Sequence, residues 1–124
     1  MRPPKPHPYA FYSSGRWLLG QLYIVGWSEE GVVKAGVTMN GRQRFGPFLA
    51  RGAEMLHLEA FEAGGDVAAE QRVHDALSAR WPRAFASKAE AAPLLGRKGS
   101  GYLECYRVPY AEWHSALRIA KEEN

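Results

Sequence analysis

Cysteine is almost missing from this chain of 124 residues, Cys105 being the single one. One thiol cannot close an internal disulfide, so the fold must rest on its core, and a reducing, cytoplasmic compartment is the expectation. Long apolar runs are missing too. Nothing approaches the roughly 18 residues that a membrane-crossing helix needs, so no membrane partner is expected. The opening MRPPKPHPYAFYSS has no apolar segment of the kind a secretory signal carries. There is no internal repeat, no zinc-finger spacing and no helix-turn-helix pattern, which leaves the chain without a separate recognition module. Charge imbalance is small: 16 Lys+Arg against 13 Asp+Glu give +3. That balance permits a nucleic-acid partner without demanding one.

What is present is enough for one core. The hydrophobic fraction of 46% is ordinary for a globular domain, and a chain of this length buries enough surface to fold unaided. Residues 1–17 read as a Pro-rich basic arm carrying Arg2 and Lys5, because Pro3, Pro4, Pro6 and Pro8 block regular structure. Residues 18–124 read as a single domain. Acids gather at Glu29–Glu30 and in the final KEEN, which leaves the segment from Arg42 to Arg51 locally positive.

From Leu19 the pattern alternates. Leu22 and Ile24 face one way, Gln21 and Tyr23 the other. Ser28 to Gly31 is a turn signal. Val33, Ala35 and Val37 then share one face, and Lys34, Gly36 and Thr38 the opposite one. The two runs predict a β-hairpin with one apolar and one polar face, on which Tyr23 and Lys34 point the same way from adjacent strands. Asn40 is placed to cap a helix running to about Arg51, kinked or shortened by Gly46–Pro47. Glu54 to Glu62 reads as a third strand. The Gly64–Asp66 break, with Asp66 as N-cap, opens the clearest helix, Val67 to about Arg80. SKAEAAPLL is a short helix at best, GRKGSG a loop, and YLECYRV an alternating strand. Pro109 at a first helical position opens a terminal helix packing Trp113, Leu117 and Ile119 or Ala120. The order β-β-α-β-α-loop-β-α predicts an α+β domain, a small antiparallel sheet of three or more strands flanked by helices.

Within that frame Tyr23, Lys34, Thr38, Arg44, Glu70, His74 and Glu104 stand out. Singly, each has an ordinary structural reading. Strand tyrosines are common, a strand lysine is usually solvated, and Arg44 reads as a surface charge. Glu70 and His74 form an i, i+4 helical pair. Glu104 alternates with Leu103 and Cys105 as on the wet face of an edge strand.

Their order and spacing say more. GQLYIV (Gly20 to Val25) and KAGVT (Lys34 to Thr38) flank a short turn. Arg44 follows Gly36 by eight residues, AEQRVHDAL (Ala69 to Leu77) lies on a later helix, and GYLECY (Gly101 to Tyr106) closes the series. This arrangement resembles the GIY-YIG nuclease superfamily, and most of all its phage-associated branch, whose second motif begins with lysine. The resemblance runs from about Gly20 to Tyr106. It implies a GIY-YIG-like fold. It matches Tyr23 to the tyrosine of the first motif, Lys34 to the tyrosine position of the second, Gly36 to the motif glycine and Arg44 to the first-helix arginine. Glu70 matches the glutamate that holds the divalent metal, His74 the histidine one turn later, and Glu104 the acidic residue of the closing segment, an accessory position. The chain departs from the pattern at Ala35 (usually isoleucine), Gly41 (proline), Phe48 (histidine or tyrosine in several members) and Cys105 (an aromatic).

The resemblance implies a metal-dependent DNA endonuclease. Glu70 would hold Mg²⁺ (or Mn²⁺), a hard cation that needs only one or two carboxylates. Arg44 would hold a non-bridging phosphate oxygen. Tyr23 would be the general base, a role open to a phenol only when a nearby cation such as Lys34 stabilises the phenolate. Thr38, Arg42, Arg51, Lys98 and the arm residues Arg2 and Lys5 would contact the DNA backbone, positioning it without reading bases. Sequence specificity would come from a homodimer or a partner protein. Two alternatives stand beside this reading. One is a catalytically inactive nucleic-acid-binding module on the same fold. The other is a small interaction protein with an accidental motif match, whose Glu70 pairs with a local arginine such as Arg72 or Arg80, or with solvent, instead of facing the hairpin. They differ in whether Tyr23, Lys34, Arg44 and Glu70 converge on one cleft.

Overall fold

A computed structural model describes residues 4–5, 7–13, 15–39, 41–62, 65–96 and 98–123, the side chains of Arg42 and Glu123 excepted. The core sheet is built on strands β3 (Gln21–Trp27) and β4 (Val32–Thr38), joined by the expected Ser28–Gly31 turn and paired antiparallel throughout. They are preceded by a small hairpin of β1 (Phe11–Ser13) and β2 (Arg16–Leu18). Helix α1 (Gly41–Ala50) leads to β5 (Glu54–Ala60), and α2 (Gly65–Ser78) to α3 (Lys88–Leu95). A 3-10 turn, Tyr102–Glu104, runs into β6 (Cys105–Arg107). A second one, Tyr110–Glu112, leads into α4 (Trp113–Glu123). The sheet order is β5-β3-β4-β6, antiparallel at every step. The architecture is α+β, as the element order predicts.

The hairpin does not have a polar face. Leu22, Ile24, Val33 and Ala35 pack against Ala69, Val73 and Leu77 of α2 and Trp113, Ala116, Ile119 and Ala120 of α4. On the opposite face Tyr23, Val25, Trp27 and Val32 pack against Phe48 of α1 and Ala91, Leu94 and Leu95 of α3. The sheet is therefore covered on both sides. Near-continuous apolar sequence is what such strands need, and Leu22 to Val25 has it. Gly26 gives the α4 side its close approach: a Cβ there would meet the Trp113 ring at 2.6 Å.

Several local expectations change. The arm is interrupted from Phe11 by a hairpin, in which Tyr12 and Trp17 stack edge to face. Pro47 lies inside α1 without ending it. Asp66 is buried in the first turn of α2 instead of preceding it. SKAEAAPLL forms a capped two-turn helix, the Ser87 hydroxyl accepting a hydrogen bond from the Glu90 N–H. YLECYRV is a strand only from Cys105, because Gly99 and Gly101 hold positive φ and wind the preceding residues into a turn. Asn40, Arg2 and Gly64 lie outside the described residues.

Candidate metal and phosphate site

The site forms where β6 ends. β6 pairs with β4 only over Val32–Lys34, so the β4 edge from Ala35 onward has no β6 partner. Glu104, the residue just before β6, occupies that corner. From there its carboxylate reaches groups anchored on both faces of the sheet.

On one face, Tyr23 sits directly opposite Gly36, and Lys34 opposite Val25. Lys34 is thus a diagonal neighbour of Tyr23 across a position with no side chain. A Cβ on Gly36 would lie 2.5 Å from the Tyr23 hydroxyl and 3.1 Å from Lys34 Nζ. Into that space Lys34 Nζ donates to Tyr23 Oη and to Glu104 Oε1, both at 2.8 Å. Arg44 Nε donates to Tyr23 Oη at 3.3 Å, and Arg44 Nη2 lies 3.9 Å from Glu104 Oε1. Phe48 packs beneath, its ring centroid 5.2 Å from Lys34 Nζ and 5.9 Å from Arg44 Cζ. Phe48 thus offers a π face to two cations.

Exposure divides the set. Tyr23 and Lys34 are fully buried, at 0%, whereas Arg44 and Glu104 are 37% and 31% exposed. Lys34 therefore does not reach a substrate directly. Arg44 and Glu104 line a surface cavity of about 440 Å³ together with Lys88, Ser100, Gly101, Tyr102 and Leu103.

On the other face, one turn of α2 brings Glu70 Oε2 to 3.7 Å from His74 Nε2. His74 Nδ1 is 2.6 Å from the Tyr106 hydroxyl, which in turn donates to the His74 carbonyl at 3.5 Å. One ligand atom each from Glu70, His74 and Glu104 lie within 4.8 Å of one another. Burial, followed by the charge and hydrogen-bonding distance of Glu104, pushes the Glu70 carboxyl up to about 7. Burial also acts to raise Glu104, but the charge and hydrogen bond of Lys34 outweigh it and hold that carboxyl below the usual range. His74 is lowered, mainly by burial. Cys105 is inert, its thiol pushed up to about 12 by burial.

The fit of a cation can be tested on these atoms. Among the described residues, the buried side-chain nitrogens and oxygens with no hydrogen-bond partner are Glu70 Oε2, His74 Nε2 and Trp27 Nε1. Two of the three are neighbours, and both can donate an electron pair. Buried polar atoms are rarely left unpaired, and two adjacent acceptors are what a bound cation would satisfy. The residues fit a divalent metal.

The structure thus brings together Tyr23, Lys34, Arg44, Glu70, His74 and Glu104. It does not gather the other expected contacts. Thr38 lines a separate cavity with Val37, Met39 and Asp66. Arg51, at the end of α1, donates to the Pro47 carbonyl and borders a depression shared with Glu29 and Glu30. Lys98 is exposed in the loop before Ser100, and the Arg42 side chain is outside the described set. Sequence reasoning missed Tyr106, Lys88 and Ser100. Tyr106 was signalled by its position two residues after Glu104. Lys88 and Ser100 carried no local signal, since only the docking of α3 brings them to the cavity. Comparisons of the chain with protein-family models, curated proteins and solved structures find no match.

Proposed function

We propose that this chain is a metal-dependent endonuclease of GIY-YIG type that hydrolyses DNA phosphodiester bonds. The observation that carries the reading is the convergence on Glu104. Tyr23, Lys34 and Arg44 meet it from one side, and Glu70 and His74 from the other. Accidental motif matches would leave these residues scattered, because they come from five separate elements.

Arg44 is the phosphate-binding group. It is partly exposed, borders the cavity and carries a planar fork of donors suited to two oxygens. Its bond to Tyr23 is longer than that of Lys34, so an incoming phosphate oxygen competes for the guanidinium and uncovers the phenol. Tyr23 accepts from two cationic donors, an arrangement that stabilises a phenolate formed as it takes the proton from water. Lys34 is a positioning and charge-balancing group, not a substrate contact. Glu70 would hold the divalent cation, with His74 and Glu104 beside it. When bound, such a cation stabilises charge on the phosphate and on the leaving oxygen. Lys88 and Ser100 extend the backbone-binding surface along the cavity, and Lys98 is exposed in the loop that precedes Ser100.

The test is nicking of supercoiled plasmid with Mg²⁺ or Mn²⁺, beside Glu70→Gln. Metal-dependent nicking that the variant loses is the expected result. The burial of Tyr23 favours one alternative, a binding module that lacks catalysis. Salt-sensitive DNA retention with no cleavage in either metal would establish that instead.

A further inference from the structure

The pairing of His74 with Tyr106 says more about the cation than the presence of a glutamate does. A neutral imidazole has one N–H and one lone pair, and the partner of one nitrogen fixes the role of the other. The Tyr106 hydroxyl lies 2.6 Å from Nδ1 and 3.5 Å from the His74 carbonyl, so it can accept the Nδ1 proton while directing its own to that carbonyl. With Nδ1 protonated in this way, Nε2 is left with the lone pair. Nε2 then faces Glu70 Oε2 at 3.7 Å, neither atom having a hydrogen bond of good geometry, while the Ala35 backbone bears on the His74 ring and Glu104 on the Glu70 carboxyl. A hydrogen-bonded outer nitrogen is the usual support of a metal-ligating histidine. The 3.7 Å gap is one that two bonds of about 2.1 Å to a common ion would span. Glu104 completes the set. Lys34 holds its Oε1, and a carboxylate has a second oxygen to offer.

We propose that Glu70, His74 and Glu104 together ligate one first-row divalent ion, and that the His74 imidazole makes the site select Mn²⁺ over Mg²⁺. Imidazole suits first-row transition ions, whereas Mg²⁺ prefers oxygen and retains its water. The positive charges of Lys34 and Arg44 beside Glu104 limit the total negative charge, so affinity depends on the nitrogen ligand more than on charge alone. The inference rests on the nuclease reading for what the ion does. It does not depend on that reading for whether the ion binds.

The experiment is Mn²⁺ titration of the full chain followed by electron paramagnetic resonance, with Mg²⁺ as competitor and no DNA present. Expected are one bound Mn²⁺, displacement only by at least ~10-fold more Mg²⁺, and a ¹⁴N coupling to the bound ion from imidazole. Tyr106→Phe removes the acceptor for Nδ1–H and is expected to weaken Mn²⁺ by about 10-fold or more while leaving Mg²⁺ nearly unchanged. His74→Ala is expected to abolish the ¹⁴N coupling and bring the two metals to similar affinity. The ¹⁴N measurement needs no variant and so is safe against a misfolded mutant. Its absence on bound Mn²⁺, or equal affinity of the wild-type chain for both metals, overturns the proposal. Plasmid nicking without ¹⁴N coupling would sink this proposal and leave the nuclease standing. Coupling without nicking would support the site and remove the nuclease.

Discussion

Gly36 faces Tyr23 across the central strand pair, and the space it leaves is occupied by the contact of Lys34 with the phenol. Adding one methyl group there puts Cβ 2.5 Å from Tyr23 Oη. Gly36→Ala is therefore expected to cost about 1–3 kcal/mol by overpacking and to push Tyr23 off its two donors. Chemical denaturation measures the first effect and the plasmid assay the second. Among the described residues, Glu104 is the carboxylate that forms an ion pair with the fully buried Lys34. Glu104→Ala leaves that ammonium buried and unpaired, at a cost of roughly 3 kcal/mol. A double variant, Glu104→Ala with Lys34→Met, is expected to recover part of the loss, and strict additivity of the two changes would contradict the coupling. Lys34→Ala alone should lower the nicking rate, because Tyr23 loses the nearer of its two cationic donors.

Glu70 gives a prediction of opposite sign. Its carboxyl is raised to about 7, first by burial and then by Glu104. A group raised in the folded state contributes stability that is complete below its unfolded value near 4.5 and is lost as pH rises through about 7. Without divalent metal, Glu70→Gln is thus expected to melt a few °C above wild type at pH 8 and close to it at pH 5. His74 is lowered, so its contribution runs the other way, being lost as pH falls below the ordinary histidine range. Melting curves in chelator at the two pH values check both signs, and a Glu70→Gln advantage that is equal at both would remove the carboxyl pair as its cause.

Elements were legible where periodicity was unambiguous. The β3–β4 register, the start of α1 and the core residues of α4 follow from the alternating and helical patterns. The polar face was misread for a physical reason. Alternation identifies which side chains share a face but not what covers that face, and Lys34 looks solvated until α1 and α3 are docked over it. Position along the strand placed Tyr23 and Lys34 together. Only the docked helices and the Gly101 turn reveal that both are sealed. Gly101 is tied to that turn by φ of +86°, and a Cβ there would lie 2.8 Å from Lys34 Cε. The Glu70–His74 spacing was readable on α2, but its junction with Glu104 depends on where β6 stops, which no local pattern encodes. Helix α3 was undervalued because Pro93 lies inside it, although the Ser87 cap and the buried Ala91, Leu94 and Leu95 outweigh that residue. Ser87→Ala is expected to cost about 1 kcal/mol. Since α3 also carries Lys88 to the cavity, the variant should weaken DNA binding slightly without affecting metal binding.

At the scale of the whole molecule the charge is small, +3 in 124 residues, so the proposed DNA affinity would have to come from where the cations lie. Arg44 borders the 440 Å³ cavity with Lys88 and Ser100, and Lys98 is exposed in the adjoining loop. Arg51 instead shares its depression with Glu29 and Glu30, where neighbouring carboxylates oppose a phosphate. On the proposed nuclease reading, this asymmetry would seat the duplex on the α1–α3 side of the sheet, with the scissile phosphate at Arg44. Each phosphate contact releases counterions and contributes about −0.9 to the slope of log affinity against log salt on B-DNA. Lys88→Ala with Lys98→Ala is therefore expected to shallow that slope by about 2, to weaken unrelated DNA sequences equally, and to leave Mn²⁺ binding unchanged. Fluorescence anisotropy across a salt series measures the slope. Arg51→Ala serves as the control on the other depression and should leave it nearly constant. A slope that responds to Arg51 and not to the two lysines would place the DNA along the turn between β3 and β4, away from Glu104, and the cluster at that residue could not then be the centre at which the phosphodiester is cut.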